Sequence, residues 1–215
     1  MNTMMYVEDG EIQRKRTTEK YFDEIAGNYD KSYDGKFVRC MYDEIITRTL
    51  QKDPADILDL GCGNGNVLDL LQQKSDARLY GIDLSEKMIQ QAKKRFGDKV
   101  ELQIGDAEKL PYRERFFDII ICNASFHHYI HPDMVIEEMK RVLKPQGTII
   151  LGDPTAPFEW YLGFLNWGLK WINSGDFHIY GKKEIINIFQ KHGFTVTQYK
   201  KISNRAFILN ARLVL

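Results

Sequence analysis

The chain has 215 residues, 43% of them hydrophobic and 28% charged, and its 30 basic and 30 acidic residues give a formal net charge of zero. This composition is typical of a globular domain that buries a sizeable core. The balanced charge disfavours a nucleic acid as partner, because nucleic-acid-binding domains present a basic surface. No apolar run is long enough to predict a membrane span, and the first residues do not resemble a secretory signal.

The three cysteines are widely spaced and odd in number: Cys40, Cys62 and Cys122. This pattern predicts neither a disulfide framework nor a Cys-x-x-Cys metal site, and no His/Cys/Asp cluster has metal-ligand spacing. We therefore expect no metal. Free thiols favour a reducing, cytoplasmic location.

The N-terminal part contains two predicted helices. Residues 1–17 are polar and predict a flexible N-terminus, which leaves 18–215 as a single domain. The aromatic residues of TEKYFDEIAGNYD fall on one helical stripe, and a second helix is predicted over FVRCMYDEIITRTL, ending near Pro54.

The middle of the chain alternates between strands and helices. Strands are predicted at DILDL (56–60), RLYGID (78–83), KVELQIGD (99–106), FFDIIICN (116–123) and TIILGD (148–153). Helices are predicted at NVLDLLQQK, EKMIQQAKKRF and PDMVIEEMKRVL, with a turn at KPQG. Such alternation indicates an α/β fold with a parallel sheet.

The alternation stops at Pro154. The segment 154–180 holds all three tryptophans, and Phe158–Ile172 is apolar on almost every side. It is interpreted as an aromatic lid over an apolar substrate, with a dimer surface or plain core as alternatives. A helix at 182–193 and an antiparallel strand pair at 194–202 and 204–215 complete the chain.

The stretch DILDLGCGNGNVLDLL has the order strand, glycine turn, helix, which is typical of nucleotide sites. The spacing of Gly61, Gly63 and Gly65 differs from the dinucleotide motif G-x-G-x-x-G. Taken alone, the three glycines also fit a tight turn that binds no ligand. The stronger signal lies in the acidic residues around them.

Three aspartates lie at the ends of three successive predicted strands: Asp59, Asp83 and Asp106. The carboxyl ends of parallel strands meet at one crevice, so these side chains are expected to converge there. A carboxylate beside a phosphate would be repelled by about 1–4 kcal/mol near a surface. A cationic ligand without phosphate is therefore favoured, and S-adenosylmethionine, with its sulfonium, ammonium, ribose and adenine, meets that requirement.

The segments DLGCGNG, GIDLSEKMI, GDAEKLPY, FDIIICNASFHHY and RVLKPQGTIIL resemble, in this order, the motifs of class I S-adenosylmethionine-dependent methyltransferases. The resemblance covers residues 17–152 and is greatest to the small-molecule branch with the ubiquinone/menaquinone methylases (methyltransferase type 11). It implies a Rossmann-like, mostly parallel seven-stranded sheet of order 3-2-1-4-5-7-6, with strand 7 antiparallel, helices on both faces and an N-terminal helical lid. It also implies transfer of a methyl group, by in-line displacement, to a small apolar or aromatic acceptor, leaving S-adenosylhomocysteine.

The resemblance implies roles for particular residues. Asp59 would lie near the methionine amino group, Asp83 would bind the ribose hydroxyls and Asp106 the adenine amino group. Tyr29 would close over the cofactor, although a core aromatic is equally compatible with its helical stripe. The full cofactor-binding set is Tyr29, Asp59, Gly61, Cys62, Gly63, Gly65, Asp83, Leu84, Met88, Asp106, Ala107, Asn123 and Ala124.

A general base is required only if the acceptor must lose a proton. His128, and after it His127, follow the fourth strand and are candidates for that catalytic role, with packing as the alternative; His178 is a weaker candidate. Two other functions remain open: a sensor that binds the nucleoside without turnover, and an NAD-dependent oxidoreductase, which would require the dinucleotide motif. A homodimer is possible.

Overall fold

A computed structural model describes residues 2–169 and 175–214, with side chains from residue 11 onward. The helices are α1 (Asn2–Ile25), α2 (Tyr33–Leu50), α3 (Asn66–Gln72), α4 (Glu86–Phe96), α5 (Pro132–Val142), α6 (Glu159–Leu169) and α7 (Lys182–Lys191). The strands are β1 (Asp56–Leu60), β2 (Arg78–Asp83), β3 (Glu101–Ile104), β4 (Phe117–Asn123), β5 (Leu143–Pro154), β6 (Phe194–Ser203) and β7 (Ala206–Leu213). The predicted alternation is therefore present.

The seven strands form one sheet in the order β3-β2-β1-β4-β5-β7-β6. Neighbouring strands from β3 to β5 are parallel, and β7 is antiparallel to both β5 and β6. The predicted strand order is confirmed. In the register, Asp59 of β1 lies beside Gly81 of β2 and Ile121 of β4, so the carboxyl ends of these strands share one edge.

The apolar core lies on both faces of the sheet. Ile120 and Cys122 of β4 belong to the cluster that includes α5 and α7 residues, while Ile119 and Ile121 belong to the cluster with α2, α3 and α4. Alternate residues of one strand thus point into different clusters. This explains why the fourth strand is a nearly continuous apolar run in the sequence.

Two predicted boundaries are wrong. The first helix ends at Ile25, and a 3-10 helix (Ala26–Lys31) follows, because Asn28 has a non-helical φ of −131°. Tyr29 is therefore not on the predicted α-helical stripe. The predicted KPQG turn lies inside β5, because Leu143 already pairs with Phe117 before the ladder shifts its register at a bulge.

The segment predicted to be flexible, residues 1–17, is helical from Asn2 onward. From residue 11 it also makes contacts: Glu11 lies 3.2 Å from His131, and Lys15 pairs with Asp106. Its flexibility and the domain limits stay predictions. In the described part of the chain, no helix combines the length and the apolar character that crossing a membrane requires. Residues 170–174 of the predicted aromatic lid (154–180) lie outside the described residues.

Candidate active site

One cleft lies at the carboxyl edge of the sheet, over the ends of β1, β2 and β4 and beneath α1. Thirteen of the fourteen residues predicted for the site line it: Tyr29, Asp59, Gly61, Cys62, Gly63, Asp83, Leu84, Met88, Asp106, Ala107, Asn123, Ala124 and His128. Gly65 does not. It has a φ of +82° at the start of α3, and a Cβ there would lie 2.4 Å from the Phe96 ring, so its role is to pack α3 against α4.

The glycine loop is held by backbone hydrogen bonds to the neighbouring strand. The N–H groups of Gly61 and Cys62 both donate to the Ile82 carbonyl, at 2.9 and 3.0 Å. Gly61 and Gly63 have φ values of +72° and +52°, a region that favours glycine. A Cβ on Gly61 would lie 1.9 Å from Ser125 Oγ, whereas a Cβ on Gly63 would meet nothing within 4 Å.

These two glycines form a matched pair for mutation. Gly61→Ala is expected to lower the free energy of unfolding by about 2–3 kcal/mol, because backbone strain adds to the overlap with Ser125. Gly63→Ala is expected to cost about 1 kcal/mol, since only the positive φ opposes it. Urea unfolding of both variants measures the difference, and equal losses would contradict the packing argument.

Asp59 is a buried carboxylate that lines the cleft. Its exposed fraction is 2%, and none of the described residues donates a hydrogen bond to it. Burial, and then the nearby charge of Asp83, raise the pKa of Asp59 to about 8. A cation in the cleft would remove this penalty, because opposite charge favours the ionised carboxylate.

Asp83 joins the glycine loop to α4. Its carboxylate accepts hydrogen bonds from the N–H groups of Gly63 at 2.8 Å and Ser85 at 2.9 Å. Burial raises the pKa of Asp83, and these backbone donors oppose the shift. Asp83 therefore supports the loop in addition to facing the cleft.

Asp83→Ala is expected to weaken S-adenosylmethionine binding by about 1–3 kcal/mol, the scale of hydrogen bonds to a charged group. It should also lower the free energy of unfolding, since the Gly63 and Ser85 N–H groups lose their acceptor. Calorimetry and urea unfolding separate the two effects. Asp83→Asn is the control, because it keeps one acceptor oxygen; unchanged affinity in both variants would place the ribose elsewhere.

At the far end of the cleft, Asp106 is engaged by α1. Lys15 Nζ lies 2.7 Å from Asp106 Oδ2 and 2.5 Å from Glu108, and the Glu108 N–H donates to Asp106 Oδ1. Burial alone would lower the pKa of Lys15, but its hydrogen bonds to Asp106 and Glu108 outweigh it and raise the pKa. The sequence-based prediction of the site did not include Lys15, because this residue falls in the segment predicted to be flexible.

Strained backbone follows β4 at the edge of the cleft. Ala124 has a φ of +50°, and its N–H donates to the Gly152 carbonyl at 2.7 Å. The neighbouring Asn123 Oδ1 is buried and finds no donor within the described part of the protein. Strain and an unpaired acceptor at one place are typical of a functional site.

A second cavity of about 420 Å³ adjoins the cleft. Phe22, Tyr29, Val38, Ala124 and His128 line both spaces. Its other walls are mostly aromatic or apolar, and Asp34, Asp176 and Arg205 are charged. The residues that line only this second space are Tyr33, Asp34, Phe37, His127, Pro154, Thr155, Ala156, Pro157, Tyr161, Leu165, Asp176, Ile179 and Arg205. We call this space the acceptor cavity.

His127 is held between two carboxylates beside the acceptor cavity. Its Nδ1 lies 2.8 Å from Asp153 Oδ1 and its Nε2 lies 3.3 Å from Asp176 Oδ1. Burial opposes the charged ring, but the two carboxylates outweigh it and raise the pKa of His127 to about 10. His127 is therefore an imidazolium that donates from both nitrogens.

His128 is neutral, because burial and the charge of His127 lower its pKa to about 3. Its Nδ1 donates to the Gly175 carbonyl at 2.9 Å, which leaves the lone pair on Nε2. His127, His128 and Asp176 are close enough to hold a metal ion. The bond from His128 Nδ1 to a carbonyl favours a hydrogen-bonded cluster instead. His178 lines neither space; it pairs with Glu184 at 2.8 Å.

A family model described as a methyltransferase domain matches residues 58–151. An uncharacterized methyltransferase of Geobacillus sp. (strain WCH70) is 30% identical over 84% of this chain and 91% of its own length. The chain belongs to the class I S-adenosylmethionine-dependent methyltransferases. A demethylmenaquinone methyltransferase of Thermotoga maritima is 28% identical over 85% of this methyltransferase and 90% of its own length.

Solved structures share the fold of this methyltransferase. One is a putative methyltransferase in complex with the Trm112 activator of Haloferax volcanii, with a TM-score of 0.77 and 20% identity over 92% of this chain and 98% of the other. The [4+2]-cyclase SpnF has a TM-score of 0.72 and 19% identity over 86% of this chain and 83% of its own. Because a protein named as a cyclase shares the fold, the fold alone does not establish methyl transfer.

The cleft of this methyltransferase fits the cofactor that its family uses. The carboxylate of Asp59, which accepts no hydrogen bond from the described residues, suits an ammonium or sulfonium. The space above Gly63 admits close approach to the backbone.

Proposed function

We propose that this methyltransferase holds S-adenosylmethionine in the cleft and methylates a small apolar or aromatic acceptor in the acceptor cavity. Asp59 would face the methionine ammonium, Asp83 the ribose hydroxyls and Asp106 the adenine. The observation that carries the proposal is that the cleft and the cavity meet, sharing Tyr29, Ala124 and three other residues. Methyl transfer requires this arrangement, because donor and acceptor must come into line.

When bound, S-adenosylmethionine supplies an electrophilic methyl group on a sulfonium. The protein's own part is alignment, which can supply roughly 7–11 kcal/mol of the barrier. Tyr29 and Phe22 lie where the two spaces join and present aromatic faces that can steady a cation. Burial raises the pKa of the Tyr29 hydroxyl, so it stays neutral there.

The histidine pair gives the acceptor cavity a means of handling a proton. The rings of His127 and His128 have centroids 3.8 Å apart, and the pair carries one positive charge because a second would be repelled. The Nε2 lone pair of His128 can accept a hydrogen bond from an acceptor hydroxyl. His127 holds its proton between Asp153 and Asp176, so the pair titrates as a unit and His128 alone is a weak base.

The walls of the acceptor cavity support an apolar, aromatic acceptor. Phe22, Phe37, Tyr161 and Leu165 offer rings and methyl groups, and Arg205 supplies a cation. Relatives of this chain are named as demethylmenaquinone methyltransferases, and we extend that class of acceptor to this protein as a proposal. The cytoplasmic location, suggested by three free cysteines, and the homodimer stay predictions.

The test combines binding with turnover. Calorimetry is run with S-adenosylmethionine, S-adenosylhomocysteine and NAD, and methyl release is then measured over phenols, quinols and amines. Binding of NAD alone would refute the proposal, and tight cofactor binding without any acceptor would favour a sensor. Leu165→Trp serves as the matched variant: it should fill the acceptor cavity and abolish turnover while cofactor affinity is unchanged.

A further inference from the structure

The outward face of α6 is aromatic and bare. We call four exposed side chains the aromatic face: Phe158 just before α6 (62% exposed), and Trp160 (79%), Phe164 (62%) and Trp167 (59%) within it. Trp160, Phe164 and Trp167 are four and three residues apart, so they lie on one side of the helix. An outward helical side normally carries polar residues. Here it carries rings, with Gly163 between them.

The rings of the aromatic face lie close together in two pairs, on a helix that is held in place. Ring centroids are 6.2 Å apart for Phe158 and Trp160 and again for Phe164 and Trp167. The helix beneath it is fixed by Asn166, which donates to the Ile179 carbonyl at 3.0 Å and accepts from the Ile179 N–H at 2.8 Å. Exposed apolar patches of this kind mark interaction sites.

Two lysines lie beside the N-terminal end of α6, next to Phe158 at the start of the aromatic face. Lys182 and Lys201 line a small cavity together with Glu159 and Leu162 of α6, and Glu159 is the one carboxylate among its lining residues. Lys201 Nζ donates to the Ala156 and Pro157 carbonyls just before α6, at 3.2 Å each. Exposed rings with lysines beside them complement a surface that has an apolar interior and anionic groups on its outside.

We infer that the aromatic face docks on an anionic lipid bilayer, with α6 lying in the plane of the interface. Tryptophan is favoured at that depth, since its ring has an apolar body and an N–H that reaches polar groups. Lysines near an anionic leaflet add attraction that salt screens. The alternative is that a second copy of this chain covers the aromatic face. Dimerisation of that kind would not depend on anionic lipid.

Docking places the bilayer next to the acceptor cavity. Tyr161 and Leu165, on the opposite side of α6, line that cavity. An apolar acceptor dissolved in the bilayer would then reach its site without crossing water. This consequence rests on the proposed function, whereas the docking itself does not.

The test uses the full chain and vesicles of two compositions, neutral phosphatidylcholine and phosphatidylcholine mixed with anionic phosphatidylglycerol. Co-sedimentation should show binding that is stronger to the anionic vesicles and falls with added salt, with a blue shift of tryptophan emission. The triple variant Trp160→Ser, Phe164→Ser, Trp167→Ser should bind at least about ten-fold more weakly, given the apolar area removed. Lys182→Glu with Lys201→Glu should remove the preference for anionic lipid.

The matched control is Ile104→Ser with Met134→Ser, which removes exposed apolar side chains elsewhere and should bind like the wild type. Failure of the wild type to bind either vesicle, or full binding by the triple variant, would overturn the inference. A dimer that the triple variant converts to a monomer would assign the aromatic face to a second copy instead. Calorimetry with S-adenosylmethionine on the same variants tests the proposed function separately.

Discussion

Asp59→Asn is expected to weaken S-adenosylmethionine binding by about 1.5–3 kcal/mol, or roughly 10- to 150-fold, the range for hydrogen bonds to a charged group. Asp59 is buried and faces the cleft without a donor among the described residues. Asparagine keeps the shape but cannot neutralise an ammonium. Calorimetry at pH 8 measures the loss. Asn64→Ala, also in the loop but hydrogen-bonded to Asp30 at 3.0 Å, is the control and should change affinity far less.

The same residue makes cofactor binding depend on pH. With its pKa raised to about 8, Asp59 is mostly protonated in the free protein at pH 7. A bound cation lowers that pKa, so binding releases up to about 0.9 proton at pH 7 and affinity rises as the pH goes from 6 to 8. Calorimetry in buffers of different ionisation enthalpy counts the proton. Asp59→Asn should release none, and equal release by both proteins would refute the assignment.

We also expect Asp59 to favour cofactor binding while it lowers the stability of the unliganded protein. Because its folded pKa is raised, the folded state binds more protons than the unfolded state, and stability falls as the pH rises from the ordinary value of about 4 towards 8. Asp59→Asn removes that slope. The unliganded variant should therefore be at least as stable as the wild type at pH 8 in urea unfolding, although it binds the cofactor poorly.

The residues that line the cleft could be predicted because they follow local patterns. Asp59 lies one residue before the end of β1 and Asp83 ends β2. Hydrophobic pattern alone identifies both strands, and parallel strands bring their carboxyl ends together. Once the strand order is given, the convergence follows from the register. The resemblance added the strand order, which spacing does not contain.

The rest depended on contacts between distant parts of the chain. Lys15 meets Asp106 across 91 positions, and a single lysine in a polar helix carries no sign of that partner. His127 contacts Asp153 because the ends of β4 and β5 are neighbours in the sheet. Asp176, its second partner, lies in a segment whose only recognisable sequence feature is its aromatic content. Sequence favoured His128 as the base, whereas burial and the neighbouring imidazolium make it a weak one.

Asp153→Asn is expected to lower the methyl-transfer rate on an acceptor that must lose a proton by on the order of 100-fold, the lower range for assisted proton transfer. Asp153 is fully buried at the end of β5 and accepts from His127 Nδ1. Asparagine can still accept that bond but lacks the charge that holds the His127 imidazolium, and the positive charge of this ring beside the acceptor cavity is what would favour the ionised form of an acceptor hydroxyl. Asp153 lines neither the cleft nor the acceptor cavity, so it acts by positioning His127, and cofactor affinity should be unchanged.

A pH profile separates this role from a structural one. The pKa of His127 is raised to about 10 in the fold, so its contribution to stability is complete below the unfolded value of about 6.5 and is lost as the pH rises towards 10. Asp153→Asn should abolish most of that slope in urea unfolding and lower the His127 pKa measured by NMR. His178→Gln is the control and should leave rate and slope unaltered. A variant that keeps the wild-type His127 titration while losing activity would show that Asp153 acts in some other way.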